Sequence, residues 1–360
     1  MDKKRIAKLD NLFITSLNNN VFPCAGMAFS KWKGGGYQRV EKYYGLAQEK
    51  PVNIELTKDH FFDLASLTKP LSTVLLLLTL FEKRIISPNT ELGTLLPHCS
   101  EEKKRISIQN LMSHSAGFIP HREYFKELID FPEEKRKEIL LERILEEKLE
   151  YVYGEKHRYS DIGYMLLGLL IEKITDKNLG EAAEGMIYRP LRLEKELCFP
   201  GLHQTKGCAY VNTEKCIWDE IMLSGRVHDD NCRVIGGMAG HAGLFGTLKG
   251  VMGLCEKLLD QWRDRDHHPG YSNVFLKETL KRVGNSNWTM GFDMVSEQGS
   301  SSGTYFSKES VGHLGFTGTS FWIDPIKGCI AVLLSNRVYY GRDNWKIREF
   351  RPAFHDFLMG

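Results

Sequence analysis

Ile6, Leu9, Phe13 and Leu17 recur at helical spacing, so the apolar positions at the start of the chain describe one face of an amphipathic helix. Two strand-like runs follow, Cys24–Ser30 and Tyr37–Tyr44, and Lys33-Gly34-Gly35-Gly36 between them reads as a hairpin turn. The middle of the chain is helical. Leu71–Phe81 is apolar on nearly every side and predicts a buried helix, whereas Glu133–Leu149 carries Ile139, Leu140, Ile144 and Leu145 on one side only. Ile162–Ile174 predicts a further helix, stopped near Gly180. After about residue 225 the pattern changes to glycine-rich turns, a helix over Val251–Trp262, and late strands. Thr319–Ile323 and Cys329–Leu334 flank Asp324-Pro325-Ile326-Lys327-Gly328, a second hairpin. Strands at both ends with helices between predict an α+β fold: an antiparallel sheet flanked by helices, with a mainly helical domain inserted. The expected division is residues 1–82 with 225–360 as a discontinuous sheet domain, and residues 83–224 as the helical one. The two hairpins should share one sheet, covered by the first and last helices.

Composition narrows the class of function. At 360 residues, 42% apolar and 26% charged, the chain has the make-up of a soluble globular protein. Lys+Arg 48 against Asp+Glu 46 leaves a net charge of +2, without the concentrated basic face that nucleic acid or an anionic membrane requires. Lys3-Lys4-Arg5 and Lys103-Lys104-Arg105 are read as solvated faces. The eight cysteines form no C-x-x-C pair, so neither a zinc site nor a disulfide framework is expected, and Cys255 and Cys329 read as core residues. The start, Met-Asp-Lys-Lys-Arg-Ile, lacks an apolar signal core, and Leu71–Phe81 is too short to span a bilayer. A cytoplasmic, reduced protein is expected, although a chain whose export signal had been removed would read the same.

The candidate chemistry centres on Phe62-Asp63-Leu64-Ala65-Ser66-Leu67-Thr68-Lys69-Pro70, where the buried helix begins. Residues three apart on a helix are neighbours, so Ser66 and Lys69 share a face, and the positive end of the helix favours an anion forming at Ser66. A lysine so placed can help to remove the serine proton. The spacing alone is weak evidence. Ser30–Lys33 and Ser100–Lys103 repeat it, but neither precedes an apolar helix. On the tetrad alone, catalysis and a plain helix cap are evenly matched. Arg158-Tyr159-Ser160-Asp161 stands directly before the Ile162 helix. A phenol there could point at the nucleophile, and an adjacent Lys69 cation is expected to lower its pKa from about 10. The bland reading makes Tyr159 a half-buried ring and Asp161 a helix cap.

Ser66-x-x-Lys69, Tyr159-x-Asp161 and His313-Leu314-Gly315 occur in the order of the three motifs of class C β-lactamases, penicillin-recognising DD-peptidases and esterases of the same fold. Leu111-Met112-Ser113-His114-Ser115-Ala116-Gly117 resembles the L-L-T-H-T-S-G segment of that superfamily. Tyr159-Ser160-Asp161-Ile162-Gly163-Tyr164 and Gly240-His241-Ala242-Gly243-Leu244-Phe245 are also typical of it. The resemblance covers about residues 22–340. It implies a β-lactamase/transpeptidase-like fold and a serine hydrolase that cleaves an ester or amide bond through an acyl-enzyme. Ser66 would be the nucleophile, Lys69 its activating partner, and Tyr159 the general base that later protonates the leaving group. Backbone N–H groups of Ser66 and Phe316 would form the oxyanion hole. Asp161, His313, Gly315 and His241 would line the substrate site, and His114 would be structural. No metal and no cofactor is implied, and the partner is a small-molecule ester, β-lactam or peptide.

Two departures bear on substrate. The family's Tyr-x-Asn is Tyr159-Ser160-Asp161 here, and an ionised aspartate cannot donate to a substrate carbonyl. Asp161 would more naturally pair with Lys69. His313 replaces the lysine of K-T-G, and a neutral histidine supplies less charge for a substrate carboxylate. Both changes weaken the case for efficient penicillin hydrolysis and recur among esterase and amidase relatives. The expected activity is that of a carboxylesterase or β-lactamase-like hydrolase, with a cell-wall peptide hydrolase (DD-peptidase or muramoyl-peptide amidase) as the alternative. Gly299-Ser300-Ser301-Ser302-Gly303 matches G-x-S-x-G but lacks the strand and helix that motif needs, which removes the α/β-hydrolase reading. A non-catalytic sensor of the same fold is opposed by the presence of Ser66, Lys69 and Tyr159 together.

Overall fold

The computed structural model describes residues 3–200 and 208–360. Its main sheet has seven antiparallel strands in the order β3-β2-β1-β11-β10-β9-β8. The hairpin β1 (Cys24–Lys33) and β2 (Gly36–Gln48) pairs through β1 with β11 (Cys329–Ser335), which continues to β10 (Ser320–Asp324) and β9 (Val311–Leu314). Short β3 (Ile54–Glu55) and β8 (Asp293–Met294) close the two edges. The two hairpins thus share one sheet, as their patterns predict. Gly34 and Gly35 form the first turn with φ of 63° and 86°, and two successive positive φ values are what a two-residue loop between twisted strands needs.

The strands are covered on both faces, which is why they read as apolar runs. Ala25 and Met27 of β1, with Ala331 and Leu333 of β11, pack under Leu9 and Phe13 of the Lys3–Asn18 helix and Phe350, Phe354 and Leu358 of the Ile347–Met359 helix. The alternate residues Cys24, Ala28, Ile330 and Val332 join a larger core beneath the Leu248–Trp262 helix. That core is continuous into the helical layer, where it takes in Leu111, Ile144 and Leu166.

A second, four-stranded sheet aims the site. Its β4 (His60–Asp63) lies between β6 (Ala209–Tyr210), parallel, and β7 (Phe245–Gly246), antiparallel, with β5 (Leu197–Cys198) beyond. The chain leaves β4 through a 3-10 turn, Ala65–Leu67, and a π-helical turn, Lys69–Thr73, before the regular helix Val74–Glu82. Every residue from Val74 to Phe81 is buried. On the facing side, the Asp161–Thr175 helix approaches the Gly240 segment so closely that a Cβ on Gly240 would meet the Tyr164 carbonyl oxygen at 2.1 Å.

Candidate active site

The turn that carries Ser66 is pinned from three sides. Ala65 has φ of 47°, a left-handed conformation that costs a non-glycine residue roughly 1 kcal/mol. The buried carboxylate of Asp63 holds it there by accepting the Ala65 N–H at 2.9 Å and the His228 N–H at 2.7 Å. Burial nonetheless pushes the Asp63 pKa up. Thr317 and Thr319 donate their hydroxyls to the carbonyls of Asp63 (2.8 Å) and Leu64 (3.1 Å), tying the turn after β9 to the serine turn. Gly315 admits no side chain, because a Cβ would lie 2.0 Å from Thr319 Oγ1 and 2.7 Å from the Leu64 carbonyl oxygen.

Lys69 is fully buried, and each of its three N–H bonds has a target. Nζ donates to Ser66 Oγ at 3.0 Å, to Asp161 Oδ1 at 2.8 Å and to the His241 carbonyl at 3.2 Å. The Tyr159 and Tyr164 rings lie 4.9 and 5.6 Å from the same nitrogen. Ser160, not Asp161, caps the helix, its Oγ accepting the Gly163 N–H at 3.4 Å, which leaves Asp161 as the first helical residue, turned to Lys69. Burial works to raise the Asp161 pKa, but the Lys69 ammonium, His121 and His241 together hold it far below the usual carboxylate range.

For Tyr159 the expected direction is reversed. Burial first, then the Asp161 carboxylate, push its phenol well above 10, and the hydrogen bond with Ser66 only partly offsets them. The lowering expected from the Lys69 cation does not prevail, because Asp161, the ion-pair partner of Lys69, acts on the same phenol. His114 lies against the Tyr159 ring at 4.6 Å and accepts the Ser160 N–H on Nδ1 at 3.2 Å. Burial keeps its pKa well below 6.5, so it supports the Tyr159 loop as a neutral ring.

The match to the family described as Beta-lactamase runs over residues 24–350. The chain belongs to the β-lactamase family. Among curated relatives, the Bacillus subtilis (strain 168) protein named N-acetylmuramyl-L-alanine amidase is 30% identical, over 93% of this chain and 81% of its own. The Escherichia coli K12 protein named "Putative D-alanyl-D-alanine carboxypeptidase" is 29% identical, over 91% of this chain and 78% of its own. The octameric penicillin-binding protein homologue from Pyrococcus abyssi superposes with a TM-score of 0.74 at 18% identity, covering 99% of this chain and 76% of that one. EstCE1, a hydrolase with promiscuous acyltransferase activity, gives 0.73 at 16% identity, covering 97% and 99%. These two likenesses are of fold. With its relatives, this family member is a serine hydrolase.

Above Ser66 lies a cavity of about 690 Å³, lined by Ser66, Tyr159, Asp161, His313, Gly315 and Phe316 among others. The His313 side chain is buried, with Nδ1 2.9 Å from the Leu314 carbonyl, and burial lowers its pKa. It therefore reaches the cavity as a neutral ring.

His241 needs correction as a substrate contact. It is 1% exposed, and it touches the site only through its carbonyl, on Lys69, and through Nε2, 2.9 Å from Asp229 Oδ1. Asp229 is the member of this pair that faces the cavity. Burial would raise its pKa, but His241 holds it at about 2.

Several lining residues escaped the sequence reading. His121 places Nδ1 3.6 Å from Asp161 Oδ2, and Arg337, Arg348 and Arg351 line the same cavity with Phe316 and Trp345. His121 follows the Ser115-Ala116-Gly117 motif by a few residues and could have been flagged. The arginines come from the segment after β11 and from the last helix, and nothing local in the sequence ties them to Ser66.

Proposed function

We propose that Ser66 is the nucleophile of an amide or ester hydrolase and that Lys69 and Tyr159 handle its proton. The observation that carries this reading is the buried Lys69 nitrogen, bonded to both Ser66 Oγ and Asp161, which line the cavity, and lying beside the Tyr159 ring. One proton leaves the coupled Lys69–Tyr159 set before attack; Ser66 Oγ then bonds to the substrate carbonyl carbon as its own proton passes to that set. The oxyanion is taken by the N–H groups of Ser66 and Phe316. The Tyr159 phenol protonates the departing amine or alcohol, and water hydrolyses the acyl-enzyme by the reverse sequence.

Cell-wall peptide amides are the substrate class supported by the names of the relatives at 29–30% identity. A simple carboxylic ester is the second reading. It is favoured by Asp161, which accepts but does not donate, and by the neutral His313, since both remove contacts that a β-lactam uses.

The test is a parallel screen of 4-nitrophenyl acetate and butyrate, nitrocefin, a D-alanyl-D-alanine peptide and a muramoyl peptide. Wild type should turn over at least one of them. Ser66→Ala should lose on the order of 10⁴-fold or more with an unchanged circular dichroism spectrum. Wild-type rates in Ser66→Ala would remove it as the nucleophile.

A further inference from the structure

The Asp161 carboxylate faces two cations, one on each oxygen. Oδ1 accepts the Lys69 ammonium at 2.8 Å, and Oδ2 lies 3.6 Å from Nδ1 of His121. The second separation is that of an ion pair, longer than a hydrogen bond. His121 lines the cavity with its side chain 47% exposed, so Asp161 joins a buried cation to a solvent-facing one. The backbone brings the ring there. The Ser160 hydroxyl donates to the Ile119 carbonyl at 2.7 Å, and the Asp161 N–H donates to the Pro120 carbonyl at 2.9 Å. Two successive carbonyls thus strap the loop before His121 onto the turn that carries Tyr159 and Asp161, and Pro120 stiffens that loop by fixing its own φ.

The other charges around the ring are engaged elsewhere. Asp229, which caps the Asp230–Val234 helix, has His241 at 2.9 Å, and Glu123, in the same loop as His121, has Lys126 at 2.6 Å. Arg122 is turned to Glu147, and Arg342, whose field reaches Glu123, is paired with Glu214 and Asp230. Asp161 is therefore the charge that His121 answers. It raises the His121 pKa above the ordinary imidazole value, with Asp229 and Glu123 adding to it and partial burial opposing, so the ring is a cation over more of the neutral range than a free imidazole. Asp161 itself works against the first step of the reaction. Attack requires a proton to leave the Lys69–Tyr159 set, and a carboxylate on Lys69 keeps the ammonium charged and the phenol protonated. A cation on the other oxygen draws off part of that negative field.

We propose that His121 is a positioning residue of this site: as an imidazolium it holds the second oxygen of Asp161 and loosens that carboxylate's grip on the Lys69 proton. It contributes no atom to the bonds that form or break. The role deepens the functional reading above and rests on it, since it acts on the proton that leaves before Ser66 attacks. Lys69, Tyr159, Asp161 and His121 then titrate as one coupled group, with His121 as its solvent-facing member.

Profiles of kcat and KM against pH test it on the full chain, with 4-nitrophenyl butyrate or whichever substrate of the parallel screen the wild type turns over fastest. His121→Gln removes the charge and keeps an amide that can reach Asp161; the ring it replaces is half exposed, so the variant should fold. The pH at which kcat rises should move up by about half a unit or more, because losing a nearby cation makes the proton of the set harder to remove. KM should change little, and kcat on the alkaline plateau should approach that of the wild type. His121→Lys restores a cation and should return the rise to the wild-type pH or below it. In an Asp161→Asn background the shift caused by His121→Gln should shrink, since the carboxylate that transmits it is gone. An unmoved rise in His121→Gln overturns the role, as does a uniform loss of kcat at every pH, the mark of a merely structural contact. A change in KM alone would make His121 a substrate contact and overturn it too, and so would a His121→Lys variant that behaves like His121→Gln. In each of these cases, loss of all hydrolysis in Ser66→Ala would leave the nucleophile standing. Hydrolysis that survives Ser66→Ala would instead overturn the functional reading itself.

Discussion

Tyr159 and Asp161 oppose one another across Lys69, and their balance sets the pH at which the site can work. Burial and the Asp161 carboxylate both raise the Tyr159 pKa, so the phenol stays protonated at neutral pH and gives up its proton only toward alkali. Asp161→Asn deletes the largest electrostatic cause of that rise and removes the charge that pairs with Lys69. The rise of activity with pH should therefore move to lower pH, and amide or β-lactam turnover should gain on ester turnover because an asparagine can donate. A pH–rate profile with nitrocefin and 4-nitrophenyl butyrate reads both effects; an unmoved profile would take Asp161 out of the proton balance. Tyr159→Phe keeps the ring against His114 and loses only the hydroxyl, so a fall of about 10²–10⁴-fold is expected with unchanged packing. Ser66, Lys69 and Tyr159 were legible in the sequence because two of them share one turn and the third heads its own helix. The direction of the Tyr159 shift was not legible, since it depends on burial and on a carboxylate brought in by tertiary packing. Arg348 and Arg351 were illegible for the same reason.

At the scale of elements, the two hairpins and the long helices followed from apolar spacing and glycine-rich turns. The small sheet around β4 did not, because β5, β6 and β7 are two residues each and carry no periodic signal. Nor did the 3-10 and π turns that stand between β4 and the Val74 helix, since a continuous apolar run looks the same in any helical geometry. The approach of the Asp161–Thr175 helix to the Gly240 segment is another feature that only packing reveals, although Gly240 itself stands in a family motif. Gly168 and Gly240 let the two backbones touch: a Cβ on Gly168 would lie 2.5 Å from the Gly240 nitrogen. Gly240→Ala should therefore displace the helix that carries Asp161, at a cost of about 1–3 kcal/mol, the usual range for overpacking. Urea unfolding measures that loss, and kcat at a temperature where the variant is still folded should fall with it as Asp161 shifts from Lys69. Gly36→Ala is the control. No atom lies within 4 Å of its would-be Cβ, so it should leave both quantities close to wild type.

For the molecule as a whole, folding buries titratable groups that water would otherwise hold charged, and acid exposes the cost. Burial pushes His268 and His355 down to about 4, from an unfolded value of about 6.5. As pH falls through that interval the unfolded chain takes up protons that the folded chain refuses, so stability is full above about pH 6.5 and declines toward about pH 4. The carboxylates act in a lower window. Burial alone would raise Asp229 and Glu214, but His241 holds the first at about 2, and His228 with Arg342 holds the second at about 2. Their contribution is present above about pH 4 and is lost only as pH falls toward 2. The two windows can be separated. His355 places Nδ1 2.8 Å from the Ser301 carbonyl and His268 accepts the Gly270 N–H on Nδ1 at 2.9 Å, contacts that a glutamine amide can reproduce without titrating. Urea midpoints at pH 7, 5.5 and 4.5 should fall steadily for the wild type and less steeply for the His268→Gln, His355→Gln double variant, so that the two curves converge toward acid. Parallel curves would show that these two rings do not carry the upper window and would move the acid sensitivity to other buried histidines such as His114, whose pKa burial also depresses.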